Sequence, residues 1–480
     1  MKYFLLVVCF LSLSIKTFSQ QFSQYNTGTL YDSFENPAQT TFVPDTSRYI
    51  AFNFFIPNFG SNFYLTGNGQ VPLKSRAFTG RYVTDNLVIG QNKFSRAKVD
   101  ANAYLGMLRI FKSLDGNQEI GFSIQTRAEG KGLFTDETLL LLNGTSAFDT
   151  DQPYAEVLNS NYRYQAYHQL SFAYREKFSK NFALGFKLSA LLGIQYQRLR
   201  IDHSYLTFNS ADNSADLALQ GDYRISYTSG KFSKHDLLPS FRNPGASISI
   251  GTLIRTRDNF NIQANIKDLG FIHWSGKSTI SQFNTAATVP NINGTRLEDR
   301  LYATAYDIVR SADKKSGFVS PTNAKAELSA NKSYWLNDDK TFKYSPTLIV
   351  QKELFYADYT AALSNPFQYK NFTGTVVAAY NNYKIFSTGL QLMLKSPNAE
   401  FFIGSDRVIQ TGSVIGAARK SDGQIYKNAS YTGADFFMGF SLKFGYVIEH
   451  PMNTSRIPLG EKPGLIKRMW NSITGKDNGD

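Results

Sequence analysis

The stretch that decides the fold is NFALGFKLSALLGIQYQR, residues 181–198. Its even positions are Phe182, Leu184, Phe186, Leu188, Ala190, Leu192, Ile194 and Tyr196. Its odd positions are Asn181, Ala183, Gly185, Lys187, Ser189, Leu191, Gly193, Gln195 and Gln197. Successive side chains of a β-strand point to opposite faces, so one face here is continuously apolar and the other mostly small and polar. Strands of soluble sandwiches average about 5–6 residues, whereas a tilted strand needs about 9–11 to cross a bilayer. A strand this long, greasy on one side and wet on the other, suits the wall of a membrane barrel.

The pattern recurs in both directions along the chain. Ile120, Phe122 and Ile124 alternate with Gly121, Ser123 and Gln125; Leu170, Phe172 and Tyr174 with Gln169, Ser171, Ala173 and Arg175. Ile248, Ile250, Thr252 and Ile254 alternate with Ser247, Ser249, Gly251 and Arg255; Phe260, Ile262, Ala264 and Ile266 with Asn261, Gln263, Asn265 and Lys267. Near the end, Phe436 to Tyr446 repeats the alternation against Gly439, Ser441, Lys443 and Gly445. No self-similarity of the propeller-blade kind accompanies it. The expected fold is therefore all-β: an antiparallel transmembrane β-barrel of about 14 strands, within a range of roughly 12–16, since bacterial single-chain barrels take even numbers.

Composition agrees with this. The chain has 480 residues, is 42% hydrophobic and 15% aromatic, with 28 Tyr and 39 Phe. Aromatics at that level suit strands and membrane-interface girdles. Mean hydropathy is −0.29, and beyond the leader no run of about 18 apolar residues exists, so no helical span is expected. The formal charge is +13. Its lysines and arginines are scattered over strands and loops, which fits a cationic lumen or contact with lipopolysaccharide phosphates better than a nucleic-acid face.

Residues 1–19 read as a secretory signal peptide. Lys2 supplies the positive start, Tyr3 to Leu13 the apolar stretch and Thr17-Phe18-Ser19 the small residues before cleavage. Cys9 lacks the small residues of a lipidation motif and reads as filler of the apolar stretch. Cleavage removes the only Cys, so the mature chain has no disulfide and no Cys-based metal site. Residues 20–450 are expected to form the barrel and 451–480 a basic periplasmic C-terminal tail.

Turn signals at Asp115-Gly116-Asn117, Lys180-Asn181, Asp258-Asn259, Asp338-Asp339 and Asn381-Asn382 read as tight hairpins. Longer connections are expected over Lys131 to Tyr162, Tyr205 to Asp216 and Gly276 to Pro321. Short turns should share one end of the barrel and long loops the other; the segment Gly230 to Asn243 falls on the wrong side, which signals a miscounted strand nearby. Thr295 and Glu298 form a capping box ahead of Leu297, Leu301, Ala305, Ile308 and Val309, predicting a helix over Arg296 to Ser311. A shorter helix is predicted from Asp136 to Asn143, capped by Thr135 and stopped by Gly144. Each is expected as a lumen plug, a lid on an outer loop or a helix on the barrel rim. In the tail, Gly464 to Ile473 is a basic stretch carrying Leu465, Ile466, Met469 and Trp470. It reads as a solvated end, a partner site or a segment for the leaflet surface.

The motifs of catalysis are missing. His168, His203, His235, His273 and His450 show no zinc-ligand spacing, and neither a nucleophile elbow nor a phosphate-binding loop occurs. The expectation is no enzyme, no catalytic, cofactor-binding or metal residues, and no cofactor.

Two stretches carry a family resemblance. Gln21-Phe22-Ser23-Gln24-Tyr25 followed by Asn36-Pro37-Ala38 resembles the opening of PorP/SprF-type membrane proteins of the type IX secretion system of Bacteroidota. The Asn-Pro-Ala triplet also resembles the start of PorV and other FadL-like barrels. The chain is considerably longer than PorP/SprF and differs internally. It is more similar to a family of uncharacterised Bacteroidota outer-membrane barrels, through Phe52-Asn53-Phe54-Phe55-Ile56-Pro57-Asn58, Asn265 to Trp274, and Gly404-Ser405-Asp406-Arg407. That resemblance implies residence in the cell outer membrane and no known catalytic residue. Within these segments Lys267-Asp268-Leu269-Gly270 reads as a strand kink relaxed by Gly270, Trp274 as an interface residue, and Asp406-Arg407 as a lumen ion pair.

The functional expectation, by analogy with FadL-like barrels, is passive transport or binding of a small, hydrophobic molecule; the alternative is a structural or accessory component of an envelope machine such as type IX secretion. The expected partners are outer-membrane lipid, lipopolysaccharide, a small hydrophobic ligand and envelope proteins, with no nucleic acid.

Overall fold

The computed structural model describes residues 22–39, 47–112, 116–179, 181–226, 238–294, 296–420, 431–448 and 464–474. The leader, Asp115, Lys180, His235, Thr295, His450 and most of the tail lie outside the described residues.

Fourteen antiparallel strands close a barrel. The first wall strand has two parts, β1 (Arg48–Phe52) and β2 (Asn58–Thr66). Then come β3 (Phe94–Phe111), β4 (Gln118–Thr135), β5 (Asn161–Ser179) and β6 (Phe182–Asn209). Next in the chain is β7 (Ser214–Ile225), which is not a wall strand, then β8 (Pro244–Arg255) and β9 (Asn261–Trp274), which are. After β10 (Thr279–Pro290), again outside the wall, β11 (Phe318–Pro321) and β12 (Lys325–Asn331) share one wall position beside β9. The remaining wall strands are β13 (Thr347–Glu353), β14 (Tyr359–Tyr369), β15 (Phe372–Asn381), β16 (Phe386–Lys395), β17 (Ala399–Ser405) and β18 (Tyr431–Val447). Closure comes from β18 pairing with both β1 and β2, which in turn pair with β3.

The outward face is the predicted apolar one. Phe122, Ile124, Leu170, Leu188, Ile250, Ile266, Leu348, Val350, Val376 and Leu392 are all exposed, forming a belt around the wall. An exposed apolar surface of this extent needs hydrocarbon around it. The same strands turn Gln125, Gln169, Lys187, Ser249, Gln263 and Gln391 inward, where they are buried.

The deciding stretch keeps its alternation only to Ala190. A register shift between β5 and β6, where Ala166 faces Gln195 but Tyr167 faces Gly193, leaves Ile194 as an extra residue. A bulge inverts the faces beyond it, so Tyr196 is buried rather than lipid-facing; Leu192, just before the bulge, is buried as well. A second bulge lies in β9 between Ile266 and Leu269, with Asp268 at φ 48°. The kink is thus at Lys267-Asp268 rather than at Gly270. Gly270 is needed for a different reason: a Cβ there would lie 2.1 Å from the Ala246 carbonyl oxygen. This bulge also corrects Trp274, which turns inward, is fully buried against Tyr196 and Phe318, and donates Nε1–H to Ser320 Oγ at 2.8 Å.

The miscounted strand is explained by β7 and β10. Above the belt, β6 continues into a sheet with β7 and β10 that never returns through the wall. Tyr205 to Asp216 is accordingly a hairpin and not a long loop. Helix α4 (Leu297–Arg310) lies on this sheet, burying Leu297, Leu301, Ile308 and Val309 as predicted. Its cap residue is Arg296, which is left-handed, has no side-chain cap bond and pairs with Asp299 at 2.7 Å. Helix α3 (Asp136–Leu141) starts at Thr135, whose hydroxyl accepts from Thr138 N as expected, and its Leu139 and Leu140 join the same core. Together with α2 (Gln70–Thr79) and residues 145–158 these elements make a canopy with its own apolar core at the long-loop end. Neither predicted helix enters the lumen. The Asn381-Asn382 turn also lies at this end, while the strand ends that flank the other four expected turns lie at the opposite one.

Candidate functional site: a lumen closed by the N-terminal segment

What fills the lumen is residues 22–39. A short 3-10 turn, Phe22–Gln24, is followed by helix α1 (Leu30–Glu35). Thr29 caps α1 by accepting from Asp32 N at 3.2 Å. The helix is only 6 residues long, too short to be stable alone, so the barrel wall holds it in place.

The wall does so with glycines, buried acids and one tyrosine. Gly185 on β6 and Gly251 on β8 are paired in register, both facing inward. A Cβ at Gly185 would lie 2.1 Å from the Pro37 carbonyl oxygen, and one at Gly251 3.1 Å from Ala38 N. The Asn36-Pro37-Ala38 motif therefore rests on a seat only glycine leaves open. Gly121 makes a third seat, where a Cβ would lie 2.9 Å from the Phe34 ring. Asn36 donates to Gln263, and Phe22 N donates to Asp406 Oδ2 at 3.0 Å. Glu400 accepts from Leu30 N at 2.9 Å while paired to Lys443 at 2.7 Å, and Lys395 donates to the carbonyl oxygens of Thr27 and Gly28.

Buried charges need partners, and in the lumen they have them. Asp268 pairs with Arg127 and, at 3.2 Å, with Lys187, and accepts from Gln169. Lys267 lies between Glu327 at 2.9 Å and Glu35 of α1 at 3.4 Å. Toward the long-loop end, Lys98 of β3 and Lys131 of β4 pair with Glu353 and Asp358 on the far side of the barrel. Between the segment and the wall a cavity of about 80 Å³ remains, bordered by Tyr25, Glu35, Asn102, Glu129, Asn323 and Glu327. Burial raises the Asp32 carboxyl to about 6, against donors from Gln39, Gly28 and Thr27. Burial would raise Glu35 as well, but Lys267 and Arg127 hold it down at about 2.

The wall is interrupted at residues 53–57, and α1 lies behind the break. Residues 53–57 loop out between β1 and β2, with Phe54 and Phe55 left-handed at φ 49° and 57°, and exposed. Opposite, β3 bulges between Tyr104 and Gly106. Asn53 and Asn58, both fully buried, stand in for the missing ladder. Asn53 Oδ1 accepts from Met107 N at 2.9 Å and its amide donates to the Ile56 and Tyr104 carbonyl oxygens; Asn58 Oδ1 accepts from Phe440 N at 2.8 Å. Tyr104 links this break to the segment. Its ring meets Tyr31 edge-on at 5.6 Å and its hydroxyl donates to Glu35 Oε1 at 2.8 Å. An apolar cluster of Leu30, Tyr31, Phe34, Ala51, Tyr104, Met107, Phe402 and Phe437 surrounds that link.

Residues 42–406 match the model of a family of unknown function, DUF5723. The chain belongs to that family. No curated protein matches it. Among solved structures the DUF5723 chain is similar to the toluene transporter TbuX of Ralstonia pickettii, at 9% identity and TM-score 0.43, covering 87% of this chain and 94% of that one. A Pseudomonas aeruginosa FadL homologue matches at 11% identity and TM-score 0.43, covering 88% and 96%. The toluene transporter TodX of P. putida matches at 6% and 0.41, covering 86% and 93%.

Asp406 and Arg407 find partners other than the predicted ones. Asp406 takes the Phe22 amide, while the Arg407 guanidinium stands over Tyr64 and Tyr431. Of the histidines, His168 meets Thr126 Oγ1 at 2.8 Å and His203 meets Glu156 at 3.1 Å, far apart on the fold. Among the described residues no group of three His, Cys, Asp or Glu is placed to hold a metal. The closing segment was not foreseen, although its signal was present. Gly121, Gly185 and Gly251 all fall on inward positions, where a barrel needs small residues only if something lies against them.

Proposed function

We propose that this chain is an outer-membrane channel for small molecules, gated by its own N-terminal segment. One observation carries the reading: residues 22–39 occupy the lumen through a short helix seated on glycines and held by polar and ionic contacts, an arrangement that can be released without unfolding the wall. A small, apolar solute is favoured by the cluster that runs from α1 to the interruption at residues 53–57, where the wall is thinnest toward lipid. The short-turn end faces the periplasm and the canopy faces outward, toward lipopolysaccharide. No covalent step belongs to this function.

A second reading has its own support. The ion pairs from Lys98 and Lys131 to Glu353 and Asp358 join opposite walls without help from the segment. A barrel closed in this way fits an accessory component of an envelope machine, type IX secretion included.

Proteoliposome uptake separates the two. The full chain should be nearly closed, and a variant lacking residues 22–39 should admit small solutes much faster. A deletion variant that folds, judged by its heat-modifiable gel mobility, yet stays closed would overturn the channel reading. Co-purification with other envelope proteins in mild detergent would then support the second.

A further inference from the structure

After α5 (Val408–Lys420), which precedes β18, the tail contains a helix, α6 (Leu465–Thr474), and it docks on the outside of the barrel. On β5 the outward residues run Leu170, Phe172, Tyr174, Glu176, ending near the short turn. The Tyr174 ring lies 5.7 Å from outward-facing Phe186. A carboxylate on the lipid face is costly unless its oxygens are satisfied. Glu176 is only 2% exposed because α6 begins on it. Its oxygens accept from Ile466 N at 2.9 Å and Lys467 N at 3.3 Å, and from the Tyr174 hydroxyl at 2.9 Å. That hydroxyl oxygen also accepts from Leu465 N at 3.0 Å. The preceding residue is Gly464, where a Cβ would lie 2.3 Å from the Glu176 carboxyl carbon and push that carboxylate aside. The free amides of a helix start neutralise an anion in this way.

The rest of α6 is two-faced. At 100° per residue Leu465, Ile466, Met469 and Trp470 share one side, and Lys467, Arg468 and Asn471 the other. Leu465, Met469 and Trp470 are 48%, 58% and 58% exposed, beside the lower edge of the apolar belt. We propose that α6 is an interfacial anchor, its apolar side sunk among the acyl chains of the leaflet at the short-turn end, its Lys467 and Arg468 toward that leaflet's anionic headgroups. The occupant is lipid because the exposed side continues a surface that already faces lipid, and because a basic amphipathic helix at that level matches the chemistry of the headgroup boundary. The proposal rests on the barrel crossing a membrane and is independent of transport.

Trp470 reports on it directly. Trp274 is buried and Trp335 is the other exposed tryptophan, so a full-length Trp335→Phe protein is compared with the Trp335→Phe/Trp470→Phe protein in proteoliposomes. Phospholipids brominated near the carbonyl end of their acyl chains should quench the Trp470 emission roughly twofold or more, and aqueous iodide should scarcely affect it, as for a ring held at the interface. Quenching by iodide alone, or by neither agent, overturns the proposal; the latter means protein covers that side. Glu176→Gln should shift Trp470 from lipid quenching toward iodide quenching with the heat-modifiable barrel band retained. Tyr174→Phe gives the same reading if the first variant does not fold, and no shift in either overturns the docking role of this pair.

Discussion

Asn53 pairs with Met107 as one strand residue pairs with another, but half of the pairing is made by a side chain. The Asn53 backbone N–H donates to the Met107 carbonyl oxygen at 3.3 Å, and the side-chain Asn53 Oδ1 accepts from Met107 N at 2.9 Å. The side chain fills the place of a backbone carbonyl that the loop at residues 53–57 has carried away. Asn53→Ala leaves a buried N–H unpaired, which costs about 1–3 kcal/mol. The midpoint of urea unfolding should fall accordingly, and Asn53→Asp, which keeps the acceptor but turns a carboxylate toward the Ile56 and Tyr104 carbonyl oxygens, should fall at least as far in the same measurement.

The glycine seats predict a clean separation of the segment from the wall. Gly185→Ala places a methyl group where the Pro37 carbonyl oxygen now lies. The segment should leave its seat, making residues 22–39 protease-sensitive and raising solute uptake, with the barrel itself intact. Gly374→Ala, where a Cβ meets nothing within 4 Å, is the matched control and should change neither readout.

The Lys443–Glu400 pair is buried on both sides, at 1% and 2% side-chain exposure. Removing one partner of such a pair strands the other charge and costs roughly 3–5 kcal/mol. Lys443→Met should therefore lower the temperature of the heat-modifiability transition strongly. The double variant Lys443→Met/Glu400→Gln should recover part of the loss, because the glutamine can still accept from Leu30 N.

Segment docking should depend on pH in two opposite ways. Asp32 rises from 3.8 to about 6 on docking, so its contribution is complete below pH 3.8 and is lost as pH climbs through about 6. Glu35 falls from 4.5 to about 2, so its contribution is present above pH 4.5 and is lost as pH drops through about 2. Docking is firmest between these limits. Amide exchange in residues 22–39, corrected for intrinsic rates, should be slower at about pH 5 than at about pH 7.5. Asp32→Asn should flatten that difference; an unchanged difference would remove Asp32 as its source.

The canopy should loosen without the barrel. Leu301 of α4 is buried in the canopy core, and Leu301→Ala should cost about 2–5 kcal/mol locally. Exchange should quicken in β7 and β10 while β13 to β16 keep their protection.

By itself the sequence determined the class of structure: strand periodicity and length dictate a membrane barrel of this size, because side chains on an extended chain alternate whatever surrounds them. The helices at α3 and α4 were legible for the same local reason, in capping and spacing. Tertiary structure alone decided which strands cross the membrane, since β7 and β10 alternate as wall strands do and only their partners place them in the canopy. It also decided where faces invert, because an extra residue at Ile194 or Lys267-Asp268 is invisible until the neighbouring strand supplies the register, and Trp274 follows that inversion inward. The closed lumen belongs to this second group. Phe22, Leu30, Glu35 and Pro37 lie far in sequence from Asp406, Glu400, Lys267 and Gly185, and no local pattern records contacts between segments that meet only when the barrel closes around them.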